Sequence, residues 1–208
     1  MIELECKPVK TMKKLILNYR LVFLSILLLS GSLSWAQSRI ETYPEITISG
    51  TSNIHDWEAI SKTGNASFSA SFDKHHIVQI NFIQVSIPVL SIKSDKGKNM
   101  DERMYESLKF DRFPEIKFSL YQVEKIVPIN GRGEIIILGF LEIAGRKKLE
   151  NLHLITQKLT NDTIQISLTK KIMMTDYDIE MPTALFGMIK TGEEVTIHIQ
   201  FVIQTQER

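Results

Sequence analysis

The chain has 208 residues, 43% of them hydrophobic, a single cysteine, and a formal charge of +1 spread over interspersed Lys, Arg, Asp and Glu. That balance, with no basic block, argues against a nucleic-acid partner, since phosphate recognition needs a concentrated positive face. One cysteine excludes a disulfide framework and a thiolate metal site, and the length suits one domain with a sizeable core.

The first elements in chain order are those of an export signal. Lys10, Lys13, Lys14 and Arg20 precede the apolar run "LVFLSILLLSGSL", and "SWA" ending at Ala36 offers small residues where a signal peptidase reads. The apolar run is short for a bilayer span and no basic stop-transfer cluster follows it. Residues 1–36 are therefore expected to be a signal peptide and 37–208 the mature domain, periplasmic or secreted, with an uncleaved anchor as the alternative. Met12 reads equally well as a start. Cys6 lies upstream of the cut, so the mature chain would carry no cysteine and would rely on packing alone.

From there most of the chain has period two, the pattern of strands with one dry face. "NASFSASF" sets Ala66, Phe68, Ala70 and Phe72 against Ser67, Ser69 and Ser71. "HIVQINFIQVSIPV" keeps Ile80 and Phe82 in phase and then switches to Ile83, Val85 and Ile87, a slip that predicts a bulge. "NMDERMYESLKFDRFPEIKFSL" then breaks the period. Asn99 precedes an acidic first turn with Glu102 three residues on, a helix-start pattern, and Met100, Met104, Tyr105 and Leu108 fall at helical spacing. The helix is expected over about residues 98–109. After Pro114 the period returns to two, with Ile116, Phe118 and Leu120 on one side.

"GRGEIIILGFLEIAG" is apolar on both faces, which predicts cover on its outside or a crowded crossing. "TIQISLT" sets Ile164, Ile166 and Leu168 against Gln165, Ser167 and Thr169. In "TDYDIEMPTALFG", Pro182 can begin a short helical turn that brings Leu185 and Phe186 together. "EVTIHIQFVIQ" alternates Val195, Ile197, Ile199, Phe201 and Ile203 with polar residues. Turn chemistry at "DKHH", "INGRG", "TNDT" and "TGEE" separates the runs. About eight strands result, and one short helix cannot cover their dry faces. A two-sheet sandwich and a closed barrel both satisfy the pattern.

Three segments carry a family resemblance. "MDERMYESLKFDRFPEIKF" resembles the signature of the YceI-like family, in which a Met-Asp-Glu helix with a second Met leads to an aromatic-Pro pair and a strand. "GTSNIHDWE" resembles the first strand pair of a variant found in exported proteins, and "MPTALFGMIKTGEEVTI" resembles the last crossing. The resemblance implies an all-β fold: an eight-stranded antiparallel lipocalin-like β-barrel with one short α-helix and a short helical turn near the mouth. It also implies binding of an isoprenoid or similar long apolar molecule in the lumen, as a carrier or store, with no cofactor. The sequence departs from better-known members where they read Val-Lys-His-x-Gly; "NIHDWEA" has an acid directly after the histidine, so the ligand need not be the same.

The residues expected to line the lumen or mouth are Trp57, Phe68, Phe72, Phe82, Met100, Met104, Leu108, Phe118, Leu185 and Phe186; core packing is the alternative role for each. The partner expected is a long-chain apolar small molecule, isoprenoid- or quinone-like, with no nucleic acid and no stable membrane span after cleavage, and a homodimer stays open. His55 and Asp56 point to opposite faces of a strand and so do not simply pair. An enzyme using either at the mouth is the second hypothesis, and a filled structural or partner-binding barrel the third. His75, His76, His153 and His198 have no metal-ligand spacing and read as surface residues. No nucleophile elbow, phosphate loop or dinucleotide fingerprint occurs, and nothing in the sequence demands catalysis.

Overall fold

The computed structural model describes residues 40–73, 76–129, 131–184 and 188–204, and residues 1–36, expected to be a signal peptide, lie outside them. Among the described residues there are twelve strands: β1 Ile40–Thr42, β2 Glu45–Ser52, β3 Trp57–Ser61, β4 Asn65–Asp73, β5 His76–Pro88, β6 Lys93–Ser94, β7 Glu115–Ile129, β8 Arg132–Ile143, β9 Arg146–Lys158, β10 Thr163–Met173, β11 Thr183–Ala184 and β12 Ile189–Gln204. A helix, α1, spans Lys98–Ser107, and 3₁₀ turns occupy Val89–Ser91 and Met174–Tyr177. The expectation of about eight strands was low mainly because β1, β6 and β11 have only two or three residues, too few to display a period.

The strands form a curled antiparallel sheet in the order β1-β4-β5-β7-β8-β9-β10-β12-β2-β3-β6, with β11 on β12. The curl is joined through the chain itself. β1 pairs with β4 at one end of this path while β2, two residues further on, pairs with β12. Tyr43 and Pro44 thus carry the wall from β4 round to β12, and the Thr42 hydroxyl donates to the Val202 carbonyl at 3.1 Å. Proline suits that bend because it offers no N–H to a ladder.

The dry faces meet inside in two apolar clusters. One gathers Phe68, Ile80, Ile83, Ile135, Ile166 and Ile203 with their neighbours. The other, beside α1, gathers Ile46, Trp57, Ile92, Met104, Ile143 and Tyr177 with theirs. Removing each such aliphatic side chain from water contributes about 1.5–3 kcal/mol.

The phase slip expected in β5 is real. The β4 pairing skips Asn81 and Val78, so that Ile83 and Val85 stand opposite Phe68 and Ala66, and Ser86 opposite Asn65. The outward stripe of β8 is covered by its neighbours: Phe140 meets Tyr121 edge-on at 5.5 Å and the Lys147 ammonium lies 4.6 Å from its ring centroid.

Three local expectations need correction. α1 begins at Lys98 as expected, but its N-cap is Gly97, at φ 84, two residues before Asn99, which lies within the first turn. Only glycine takes that backbone cheaply, and the Gly97 carbonyl receives the amides of Met100 and Asp101. "TGEE" is no turn between strands; it lies inside β12, where the pairing with β2 jumps between Thr191 and Val195 as a bulge. The segment after Pro182 forms β11 against Ile189 and Lys190 in place of a helical turn.

α1 ends cleanly. Lys109 adopts φ 55, Lys109 N–H donates to the Glu106 carbonyl and Phe110 N–H to that of Tyr105, the double closure of a Schellman ending. The Tyr105 and Phe110 rings, 6.4 Å apart, supply the apolar contact that accompanies it.

Candidate functional site

Between the two clusters lies a cavity of about 90 Å³ with no polar atom facing it. Ile46, Ile87, Ile92 and Ile143 border it towards α1, and Phe68, Ile137, Leu154 and Phe201 border it further along the lumen. Cavities lined this way stay dry; one of about 150 Å³ accepts a benzene ring. A long chain therefore enters only if lining side chains move aside.

Of the residues expected at the lumen, Phe68 and Phe118 line this cavity. Met104 is buried in the cluster beside α1, with Met100 and Leu108 packed against it. Trp57 belongs to the same cluster; its ring lies over Gly50 and its indole N–H donates to the Thr51 carbonyl at 3.2 Å. Phe72 packs against the other cluster, and Phe82 is half-buried off the cavity wall. Leu185 and Phe186 lie outside the described residues.

The sheet is incomplete between β9 and β10. β9 and β10 pair only from Leu154 with Leu168 to Lys158 with Ile164, although β9 extends back to Arg146 and β10 forward to Met173. Side chains bridge the remaining gap. Lys170 Nζ lies 2.7 Å from Glu150 Oε2 and donates to the Asn151 carbonyl at 3.2 Å, and the Tyr177 hydroxyl donates to Glu150 Oε1 at 2.9 Å. Lys148 pairs with Asp176 at 2.9 Å and Arg146 with Asp178 at 2.8 Å. Burial first, and then the bond to Glu150, push the Tyr177 phenol well above its ordinary value, so it remains a donor.

Sequence reasoning passed over Lys170, Glu150 and Tyr177. A signal was present: the alternation that puts Ile164, Ile166 and Leu168 on the dry face of β10 puts Lys170 there too, and Glu150 is in phase with Leu152 and Leu154 on β9. A charge in phase with an apolar stripe marks a polar group inside the sheet.

α1 is tied across this end. Tyr105 donates to the Ile92 carbonyl at 2.8 Å, and Lys109 Nζ donates to the Asp178 carbonyl at 2.9 Å. The Lys93 ammonium, 2.6 Å from the Tyr105 hydroxyl, is held above its ordinary value by that bond and, more weakly, by Asp101.

His55 and Asp56 sit in an exposed turn, where Ser52 Oγ receives the amides of Ile54 and His55. Neither lines the cavity. His153 faces Glu134 at 3.6 Å and His198 meets Thr169 at 3.0 Å, both on the exposed outside; His75 lies outside the described residues. Among the described residues no group of three or more His, Cys, Asp or Glu is placed to hold a metal, and no helix is long and apolar enough to cross a membrane.

The comparisons agree on the fold. The YceI-like domain model matches residues 36–203. BcnA of Burkholderia cenocepacia superposes with a TM-score of 0.56 at 17% identity, covering 77% of this chain and 96% of that one. A polyisoprenoid-binding domain from Saccharophagus degradans, implicated in plant cell wall breakdown, gives 0.58 at 11% identity, covering 81% and 100%. The YCEI protein of Campylobacter jejuni gives 0.52 at 21% identity, covering 70% and 85%. No curated protein matches the chain in sequence. With a family match across nearly the whole sheet and an antiparallel wall curled round an apolar interior, this chain belongs to the YceI-like family.

Proposed function

We propose that the protein is an exported, non-enzymatic carrier or store that holds a long apolar molecule, isoprenoid- or quinone-like, inside its curled sheet. The observation that carries this reading is the wholly apolar cavity running between the two core clusters in a chain of the YceI-like family. The structural likeness to a polyisoprenoid-binding domain supports the choice of ligand class. Export rests on the basic and apolar pattern of residues 1–36.

Affinity would come from removing the ligand's hydrocarbon from water, at about 25 cal/mol per Å². A chain that buries several hundred Å² thereby outweighs the cost of ordering it, and micromolar binding results. Loading widens the lumen beyond its 90 Å³, with aliphatic and phenyl side chains turning against the wall. Met100 and Met104 at the α1 end are suited to such adjustment, since an unbranched thioether fits irregular surfaces.

Protein purified from the cell envelope, extracted with organic solvent and analysed by mass spectrometry, is expected to release a stoichiometric lipid, and delipidated protein to take up polyprenyl lipids or quinones. Repeated recovery of empty protein that takes up neither would sink the reading. The small cavity favours one second reading, a filled barrel that binds a partner through its outer surface, and the same uptake titration separates the two. No observation favours an enzyme at His55 or Asp56.

A further inference from the structure

The apolar cavity adjoins the unpaired stretch between β9 and β10. Leu154 and Leu168, the last backbone partners of the two strands, line it, and so do Leu152 and Lys170, the next residues of the same phase on either side. No polar atom faces the cavity, so Lys170 borders it with methylenes, and its ammonium is engaged in the seam by Glu150 and the Asn151 carbonyl. On both flanks the ladders are continuous. β8 and β9 pair from Arg132 with Gln157 to Ile143 with Arg146, and β10 and β12 from Thr163 with Gln204 to Met173 with Glu194. The seam thus separates two hydrogen-bonded panels, which the ladder from Leu154 to Lys158 joins at one end.

A chain too long for the cavity needs a way in and room once inside. Parting β8 from β9, or β10 from β12, would break a backbone ladder, and entry under α1 would withdraw Met104 from the core and break the Tyr105 bond to the Ile92 carbonyl. Parting β9 from β10 beyond Leu154 and Leu168 breaks no ladder. Only side-chain contacts give way: Lys170 with Glu150 and Asn151, Tyr177 with Glu150, Lys148 with Asp176 and Arg146 with Asp178. We infer that this seam is a lateral portal of the lumen, in which β10 and the Met174–Tyr177 turn swing away from β9 about the Leu154–Leu168 pair and those polar contacts are the latch. This rests on the carrier reading above and adds the route by which the apolar chain passes.

Charge suits a latch. Ion pairs at the surface exchange each other for water at little net cost, so they close the seam without fixing it shut. An aliphatic seam would have to expose apolar surface to water each time it opened. The contacts are graded accordingly. In the Arg146–Asp178 and Lys148–Asp176 pairs every side chain is 36% exposed or more, whereas Lys170 and Glu150, at 26% and 15%, close the inner edge with the Tyr177 hydroxyl on the same carboxylate.

The test follows the rate at which delipidated protein takes up all-trans-retinol, an isoprenoid whose polyene fluoresces in apolar surroundings. Lys148→Cys with Asp176→Cys, joined by the short reducible reagent 1,2-ethanediyl bismethanethiosulfonate, is expected to slow uptake about tenfold, as a closed gate would, and reduction of the bridge to restore it. The same bridge at Lys171→Cys with Glu194→Cys, an ion pair of 2.7 Å across the continuous β10–β12 ladder, is expected to leave the rate unchanged. In wild type, raising NaCl from about 50 mM to about 500 mM is expected to speed uptake about threefold by screening the two exposed pairs. A seam bridge without effect, equal slowing by both bridges, or a wild-type rate indifferent to salt each overturns the inference and leaves the carrier reading standing. The salt series needs only wild-type protein, so a misfolded variant does not protect the idea. Failure of wild type to take up retinol, polyprenyl lipids or quinones at all overturns the carrier reading and this inference together.

Discussion

The far edge of the Phe118 ring on β7 reaches over Gly139 on β8, so close that a Cβ at position 139 would overlap it and would also press on the Ser119 carbonyl. Gly139 faces inward among Ile135, Ile137 and Ile143, and the missing side chain is what lets the phenyl ring lie along the wall and leave the lumen partly open. Aromatic cover of a strand glycine also shields its exposed backbone.

Gly139→Ala is therefore expected to drive the Phe118 ring towards the cavity and strain β7. Overpacking of this kind costs about 1–3 kcal/mol, readable as a lowered midpoint in denaturant. Uptake of a hydrophobic chain should fall in parallel. An unchanged midpoint would mean that the ring has another place to go.

Glu150→Ala should destabilise by about 1–3 kcal/mol, because it leaves the Tyr177 hydroxyl and the Lys170 ammonium, both enclosed, without their acceptor. Combining Glu150→Leu with Lys170→Met removes both charges and should restore most of that loss. A double-mutant cycle by chemical denaturation measures the coupling, and strictly additive effects would show that the pair does not interact.

Tyr177 imposes a pH dependence on stability. Its phenol value is raised in the fold by burial and by Glu150. Below about pH 10, the ordinary tyrosine value, both folded and unfolded chains keep the proton and the contribution is complete. Above that pH the unfolded chain releases a proton that the folded chain retains, so stability falls by about 1.4 kcal/mol per pH unit. The unfolding free energy of wild type minus that of Tyr177→Phe should fall by about 1.4 kcal/mol in total between about pH 9 and pH 11, nearly all of it above pH 10; parallel curves would contradict the assignment.

Met104→Ala should cost about 2–5 kcal/mol, the range for emptying a buried methionine site. Met104 joins α1 to the cluster of Ile46, Trp57 and Ile143, so the loss should appear first as faster amide exchange in α1. Global unfolding with no prior loosening of the helix would show that α1 is not a separable cover.

The long strands and the helix were legible because their information is local. An alternating stretch such as Ala66 to Phe72 or Val195 to Ile203 commits one face to the interior whatever its partners are, and Met100, Met104, Tyr105 and Leu108 could share a face only as a helix. The β5 slip was visible as a change of phase. Two- and three-residue strands carry no such record, and "TGEE" has the composition of a turn although it serves as a bulge, a difference decided by Thr51 and the rest of β2 lying alongside.

What the sequence by itself determined was a sheet with one oily side, a short methionine-bearing helix and the family resemblance, since each depends on residues a few positions apart. Only the tertiary structure decided that Tyr43 and Pro44 carry the wall from β4 to β12, that Phe68 and Phe118 border the cavity while Phe82 does not, and that Lys170, Glu150 and Tyr177 meet where β9 and β10 part. Those relations join residues far apart in the chain, and they arise from the twist and register by which the strands close. Periodicity says which way a side chain faces and nothing about what it faces.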